Sequence, residues 1–551
     1  MNGIGERVRK EGWGRQACLW GATVLAVGAS LVLYAFAAWF GNLNQDEGWY
    51  LYAARRVAEG AEPYRDFFFT QGPLMPHVYG LLSFLWMPHG VLGGRVMTAA
   101  LGWSGCVLAA LLARRAVPSP RAAEAGLMAF ALTACNLYHV YFTTIPKTYA
   151  LASFLLLSGY LTLTLCVSRR KKTRSHLSCM WALPAGFLVA LAAGARLSLG
   201  ALLPVTALGL LVTYRRTGAA FFWFAIGGGL GLVLAYGPTL LEARDAFMFS
   251  QSFHVARGGR DLFFMVGSLA RTVRAYLPAS LLCVALVAFK VFRGRCRTSQ
   301  IGCEEPAGVL YRGTLWPWLW LFAFLAVFLV QWASPYPYDD YQVPVMGLLA
   351  AALAGWAANA TASGRLRSCI CLFWVAASLL STFASPLAQE WLVLRQDRFW
   401  AVQKPQPDLA LLRMTARDIR ALAESDEVLL TQDVYLAVEA GLRVPEGLEM
   451  GPFSYFPELT DEAAARYRVM NKRRLAALLD SAPCRVAAFS GYGLAIRSPV
   501  MDAVPPEDTQ LFLSLLGKHY DRVQEVPDFG QQNTTLLVMR RRTPVADQKK
   551  P

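Results

Sequence analysis

The chain has 551 residues, of which 55% are apolar and 16% charged. Apolar runs of that length exclude an ordinary soluble protein and indicate a polytopic membrane protein. The net charge of +16 is concentrated before residue 386, where it reads as membrane topology and gives no reason to expect nucleic acid.

A helical crossing of a bilayer needs roughly 20 apolar residues. By that ruler residues 1–16 form a cytoplasmic amino terminus and residues 17–385 a transmembrane module. Its eleven expected spans lie near 17–40, 91–113, 122–140, 148–167, 179–194, 198–214, 219–240, 275–292, 316–333, 343–360 and 368–384. If these spans alternate, the basic clusters at Arg7–Arg15, Arg114–Arg121, Arg169–Arg174, Arg215–Arg216, Lys290–Arg297 and Arg365–Arg367 share one side. That side is the cytoplasmic face of the inner membrane. Of the 15 acids in residues 1–385, 10 fall on the outer side. The first run is longer than a signal-peptide core and lacks a persuasive cleavage site, so it reads as a retained anchor.

The first outer loop, 41–90, opens with "GNLNQDEGWYLYAARRVAEGAEPYRDFFFTQGPLMP". Within it, "EGWYLYAARRVAEG" puts Trp49, Ala53 and Val57 on one helical face, the pattern of a helix lying in the headgroup plane. The proline-interrupted "PLMPHVYGLLSFLWMPHG" reads as a second interfacial helix or a partial insertion. Together they form a floor at the outer membrane surface.

After residue 386 the pattern changes to strands alternating with amphipathic helices, an extracytoplasmic α/β domain over 386–542 with a frayed tail at 543–551. Helices are expected at "DLALLRMTARDIRALAE", "TDEAAARYRVMNKRRLAALLDS" and "EDTQLFLSLLGKHY", and strands at "EVLLT", "RVAAFS" and "TTLLVMRRR". No phosphate-binding glycine motif marks it as a nucleotide binder. Of the 11 cysteines only Cys484 lies there, so the domain has no internal disulfide. Cys296 and Cys303 share a loop without a nearby histidine, a poor zinc site.

Outside the membrane there is no ATP or nucleotide sugar, so group transfer there needs a donor delivered by the lipid, such as a polyprenyl-phosphate sugar. The acceptor hydroxyl needs a general base, and the departing phosphate needs cationic donors. Asp46 and Glu47 are candidates for the base, with capping of the following helix as the alternative. Lys147, Arg196, Arg257, Arg260, Arg271 and Arg274 are candidates for the phosphate; Arg196 otherwise reads as a snorkelling helix-end residue. Tyr64, Asp66, His254, Asp340 and Tyr341 are candidate substrate contacts, although Asp340 sits in a proline-rich turn that explains it without function. A transporter or flippase of a lipid-linked or anionic solute is the rival class. Ionisable groups at the midplane and repeated halves would favour it.

The acidic pair after the first span, the "PYRDFFFTQGPLMP" segment, the basic residue after a glycine-rich fifth span and "SPYPYDDYQVPVMGLL" before a late helix resemble the GT-C glycosyltransferases. More narrowly, the pattern is similar to the protein O-mannosyltransferase, aminoarabinose transferase and rhizobial galacturonosyltransferase-like branch, over roughly residues 17–384. The resemblance implies an all-α membrane fold and an inverting transfer from a polyprenyl-phosphate sugar to a lipid, glycan or protein hydroxyl. Asp46 would be the catalytic residue and Glu47 its neighbour. Some members hold a divalent metal such as Mg or Mn between outer-loop acids and others do not, and the metal ligands here are unassigned. Two positions depart from the pattern: Lys147 stands where an aspartate is frequent, and Arg196 where the aminoarabinose branch carries Thr-Lys-Gly-Pro.

Overall fold

The structure is a computed structural model that describes residues 2–169, 176–213, 218–255, 262–298, 315–334, 336–360, 363–387, 406–491 and 504–542. Each of the eleven expected spans falls on helical structure, from Asn2–Phe40 to Gly364–Leu380. Among the described residues, six helical segments are long and apolar enough to cross a bilayer unaided, and a seventh counts if Leu262–Ala275 and Leu277–Lys290, bent by 87°, form one span. The segments 148–164, 179–195 and 197–212 are apolar but shorter, so the eleven expected spans coincide with helices, of which six, or seven with the bent pair, are long and apolar enough to cross. Small residues let the shorter helices pack tightly. A Cβ on Gly186 would strike the carbonyl oxygen of Phe224, which brings the helix Ala182–Ala195 against Ala219–Glu242.

The first outer loop forms the helix Gln45–Ala58, and its start follows from sequence. The Asn44 side chain accepts from the Asp46 N–H, and Glu47 Oε1 accepts from the Asn44 N–H at 2.8 Å, a reciprocal capping arrangement. The headgroup-plane expectation meets a different environment. Residues Glu47–Ala54 are all buried, and Trp49 packs edge-on against Phe453 with ring centroids 4.8 Å apart. Gly48 lies so close to the carboxyl-terminal part that an added Cβ would come within 2.5 Å of the Tyr435 N. This helix is therefore covered by protein on the side assigned to the headgroups. Its successor, Leu74–Leu81 with Ser83–Trp86, does leave Leu81, Phe84 and Leu85 exposed together, as a lipid-facing edge requires.

The covering layer is the chain after residue 406. It contains a four-stranded sheet in the order β1-β2-β4-β3, with β1 Leu430–Thr431, β2 Val486–Ser490, β3 Tyr520–Phe529 and β4 Thr534–Arg541. β1 pairs parallel to β2; β2 and β4, like β3 and β4, pair antiparallel. The helices Asp408–Ala423 and Pro506–His519 form where amphipathic periodicity places them. The expected single helix at 460–481 is two, Asp461–Arg466 and Lys472–Ser481. The break falls at Arg468, whose φ is 58°, before Asn471 caps the second helix.

Hydrogen bonds tie this layer to the first loop. The Leu43 N–H donates to Asp408 Oδ2 at 3.1 Å, Arg55 Nη1 to the Leu442 carbonyl at 2.9 Å, and the Val91 N–H to Glu439 Oε2 at 2.8 Å.

Candidate active site

A cavity of about 850 Å³ opens where the start of the helix Gln45–Ala58 meets the ends of the helical bundle and the carboxyl-terminal layer. Six of the residues singled out from sequence line it: Asp46, Lys147, Arg196, Arg271, Asp340 and Tyr341. They are far apart in the chain, and the fold brings them together.

At its centre Lys147 Nζ lies 2.7 Å from Asp46 Oδ2 and 3.0 Å from Asp340 Oδ2, and the Tyr149 hydroxyl donates to the same Asp340 oxygen at 3.0 Å. Burial disfavours the ammonium, but Asp340 and Asp46 hold its pKa above the ordinary lysine value. Lys147 is thus a counter-ion for two carboxylates more than a free phosphate ligand. The same contacts decide how a divalent metal would fit. Both carboxylates are committed to an ammonium, and no group of three His, Cys, Asp or Glu side chains suited to a metal occurs among the described residues. As arranged, the donor set fits a lysine and not a divalent ion.

Arg196 is placed differently. Its guanidinium carbon sits 4.7 Å from the Tyr149 ring centroid and 4.6 Å from that of Tyr341, clamped between two aromatic faces. It has no ion pair with an acid among the described residues, and its buried Nε lacks a hydrogen-bond partner. Arg271 also faces the cavity, with Nε 3.3 Å from Asp339 Oδ1. Among the described lining residues, Arg196 is the cation without an acidic partner, and Arg271 pairs with a single carboxylate.

The remaining sequence candidates lie elsewhere. Glu47 is wholly buried in a two-pronged pair with Arg95, at 2.8 Å from Nε and 2.7 Å from Nη2, and is not part of the cavity lining. Arg274 points its Nε at the Ala384 carbonyl, 3.2 Å away, also off the lining. Tyr64 is buried with a φ of 68°, and its hydroxyl donates to the carbonyl of Gln71, itself a lining residue, so it shapes the loop from behind. Asp66 accepts from Arg65 Nη2 at 2.8 Å, which holds its carboxyl below the usual range, and faces a second cavity beside Arg56, Arg443, Glu449 and Arg468. Arg257 and Arg260 fall outside the described residues, as does the side chain of His254.

Sequence reasoning passed over Arg95, although an arginine inside the apolar run "GVLGGRVMTAALGW" was a readable signal. It also passed over Tyr149, Gln45 and the Gln531–Gln532 pair, for which no local pattern exists.

Two crystal structures of ArnT from Cupriavidus metallidurans, one bound to undecaprenyl phosphate and one in the apo state, match the chain with a TM-score of 0.57 each, at 14% and 15% identity. The match covers 96% and 94% of this chain and 99% and 98% of theirs. The chain has the ArnT fold. This likeness is one of fold, and it agrees with the helical membrane architecture that the sequence resemblance implied over roughly residues 17–384. An Archaeoglobus fulgidus oligosaccharyltransferase, AglB, in complex with an inhibitory peptide and a dolichol-phosphate, is a weaker match, with a TM-score of 0.45 at 11% identity over 98% of this chain and 75% of its own. No protein-family model matches the sequence, and no curated protein sequence matches it significantly.

Proposed function

We propose that the protein is a membrane glycosyltransferase that moves a sugar from a polyprenyl-phosphate donor to an acceptor hydroxyl on the outer face of the cytoplasmic membrane. The observation that supports this most is one cavity holding both a partly exposed carboxylate, Asp46, and a clamped arginine, Arg196, without an acidic partner among the described residues. The ArnT fold adds weight, since that protein has been crystallised with undecaprenyl phosphate bound.

In the reaction we propose, Asp46 accepts the proton of the acceptor O–H as the oxygen forms its bond to the anomeric carbon. The bond between that carbon and the phosphate oxygen breaks, and its electron pair leaves with the lipid phosphate. Attack from the face opposite the leaving group inverts the anomeric configuration. Arg196 and Arg271 stabilise the charge gathering on the phosphate. Lys147, bonded to Asp46 Oδ2, fixes the carboxylate and leaves Oδ1 to meet the acceptor.

The test is a partition assay with the full chain in proteoliposomes and a panel of radiolabelled undecaprenyl-phosphate hexoses and pentoses. Label leaving the organic phase for an acceptor, with loss of that transfer in Asp46→Asn, is the expected result. Intact donor crossing the bilayer without cleavage would instead make the protein a flippase.

A further inference from the structure

The carboxyl-terminal layer does more than cover the first loop, because the β3–β4 hairpin turn reaches the cavity. That turn is built from residues in the left-handed region, Asp528 at φ 52°, Gly530 at 74° and Asn533 at 51°. Gly530 packs directly under the Tyr435 hydroxyl, which is itself held by Asp433 Oδ1 at 3.0 Å. So anchored, the turn presents Gln531 and Gln532 to the lining. Gln531 Oε1 accepts the Gln45 N–H at 2.9 Å, one residue from Asp46.

Gln45 supplies the second, independent observation. Gln45 is 4% exposed and lines the cavity, yet neither its Nε2 nor its Oε1 has a hydrogen-bond partner among the described residues. A buried amide left unpaired is unfavourable unless something in the cavity pairs with it. A primary amide offers a donor and an acceptor side by side, the complement of neighbouring hydroxyls on a sugar ring. The lining residues contributed after residue 385, namely Pro386, Leu387, Met450, Phe453, Gln531 and Gln532, are all uncharged. Phe453 with Trp49 adds an apolar aromatic corner of the kind that receives the C–H face of a sugar.

We infer that the hairpin turn and Gln45 form the acceptor subsite, and that the acceptor is an uncharged, hydroxyl-rich glycan and not a phosphorylated lipid or a peptide. This rests on the transferase reading for its role as acceptor. The cations lie with Lys147, Arg196 and Arg271, so a charged acceptor would have no counter-ion among the amides.

The full-length protein in nanodiscs would be applied to an array of neutral oligosaccharides, phosphorylated oligosaccharides and peptides, with undecaprenyl phosphate binding measured by calorimetry on the same preparations. Capture of neutral oligosaccharides is expected, reduced about tenfold or more by Gln531→Ala and by Gln45→Leu, the size of a lost hydrogen-bond pair. Affinity for undecaprenyl phosphate should stay within about twofold. Gln45→Leu removes an unpaired amide, so its melting temperature should hold or rise. Undiminished capture by both folded variants would overturn the inference, as would capture of phosphorylated glycans alone, of peptides alone, or of nothing. Neutral glycans captured by a protein that does not bind undecaprenyl phosphate would uphold the glycan site and sink the transferase reading.

Discussion

Asp46 and Glu47 adjoin in sequence and share the cap residue Asn44, but their side chains pair with different cations. The Asp46 side chain is 29% exposed, shares Lys147 with Asp340 and faces the cavity. Glu47 is 0% exposed and enclosed with Arg95, whose other N–H groups serve the carbonyls of Ala38, Gly41 and Asn42. A helix turns about 100° per residue, so consecutive side chains at its first turn face different neighbours. One residue faces the cavity, where we propose it acts as the base, and the other joins the end of the first span to its neighbour. Two acids side by side therefore need not share a job.

The sharpest way to break this contrast is Asp46→Asn. Loss of a general base lowers kcat by about 10²- to 10⁴-fold, while the melting temperature should hardly move because the amide keeps the shape and an acceptor for Lys147. Matched transfer assays and thermal denaturation of the purified variant decide it. Activity lost only alongside the fold would place Asp46 with Glu47 as a structural acid.

Glu47→Gln should show the reverse. It leaves the Arg95 guanidinium buried without its counter-charge, at a cost of about 3–5 kcal/mol, visible as a lower denaturation midpoint and poor yield. Arg95→Met, which also strips donors from three carbonyls, should be at least as damaging. A Glu47→Gln protein as stable as the parent yet inactive would move Glu47 into the chemistry.

The same pair shows how far the sequence could be read. Hydrophobic run length located helices at each expected span, because membrane burial acts on each segment separately, but only six or seven of them are long and apolar enough to cross. The chain gave Asp46, Lys147, Arg196 and Asp340 as candidates, because charge is conspicuous between the apolar runs of such a chain. Their mutual geometry was hidden: Lys147 reads as a phosphate ligand until Asp46 and Asp340 are seen to flank it. The helix Gln45–Ala58 was legible as amphipathic, but its cover was not. An apolar face reads the same whether it meets lipid or Phe453. The second helix of the carboxyl-terminal layer was misread as continuous because the break depends on one left-handed residue, Arg468.

A third acid sharpens the comparison. Glu449 is buried like Glu47, but its partners are backbone groups, with the Gly447 N–H at 2.8 Å, and it forms no ion pair among the described residues. Burial pushes its pKa from the ordinary 4.5 up to about 7. The folded state then holds a proton that the unfolded state has released, so this contribution to stability is full below pH 4.5 and is lost as pH rises to about 7. The loss is on the order of 3 kcal/mol. Denaturation midpoints across that range should fall for the parent, with a shallower slope for Glu449→Gln. Parallel slopes would mean Glu449 is ionised throughout.

Arg196 and Arg274 repeat the contrast among the cations, with a smaller effect. Arg196 offers its guanidinium to the cavity between two tyrosine rings, whereas Arg274 is turned onto the Ala384 carbonyl. Losing a charge-assisted contact to phosphate, worth about 1.5–3 kcal/mol, should weaken undecaprenyl phosphate binding by about 10- to 100-fold in Arg196→Ala. Arg196→Lys should recover only part of this, since an ammonium keeps the charge but cannot stack as a plane between Tyr149 and Tyr341. Arg274→Ala should leave donor affinity unchanged. If Arg274→Ala proved the more damaging, the lipid phosphate would lie outside this cavity, and Asp46 would have no leaving group opposite it.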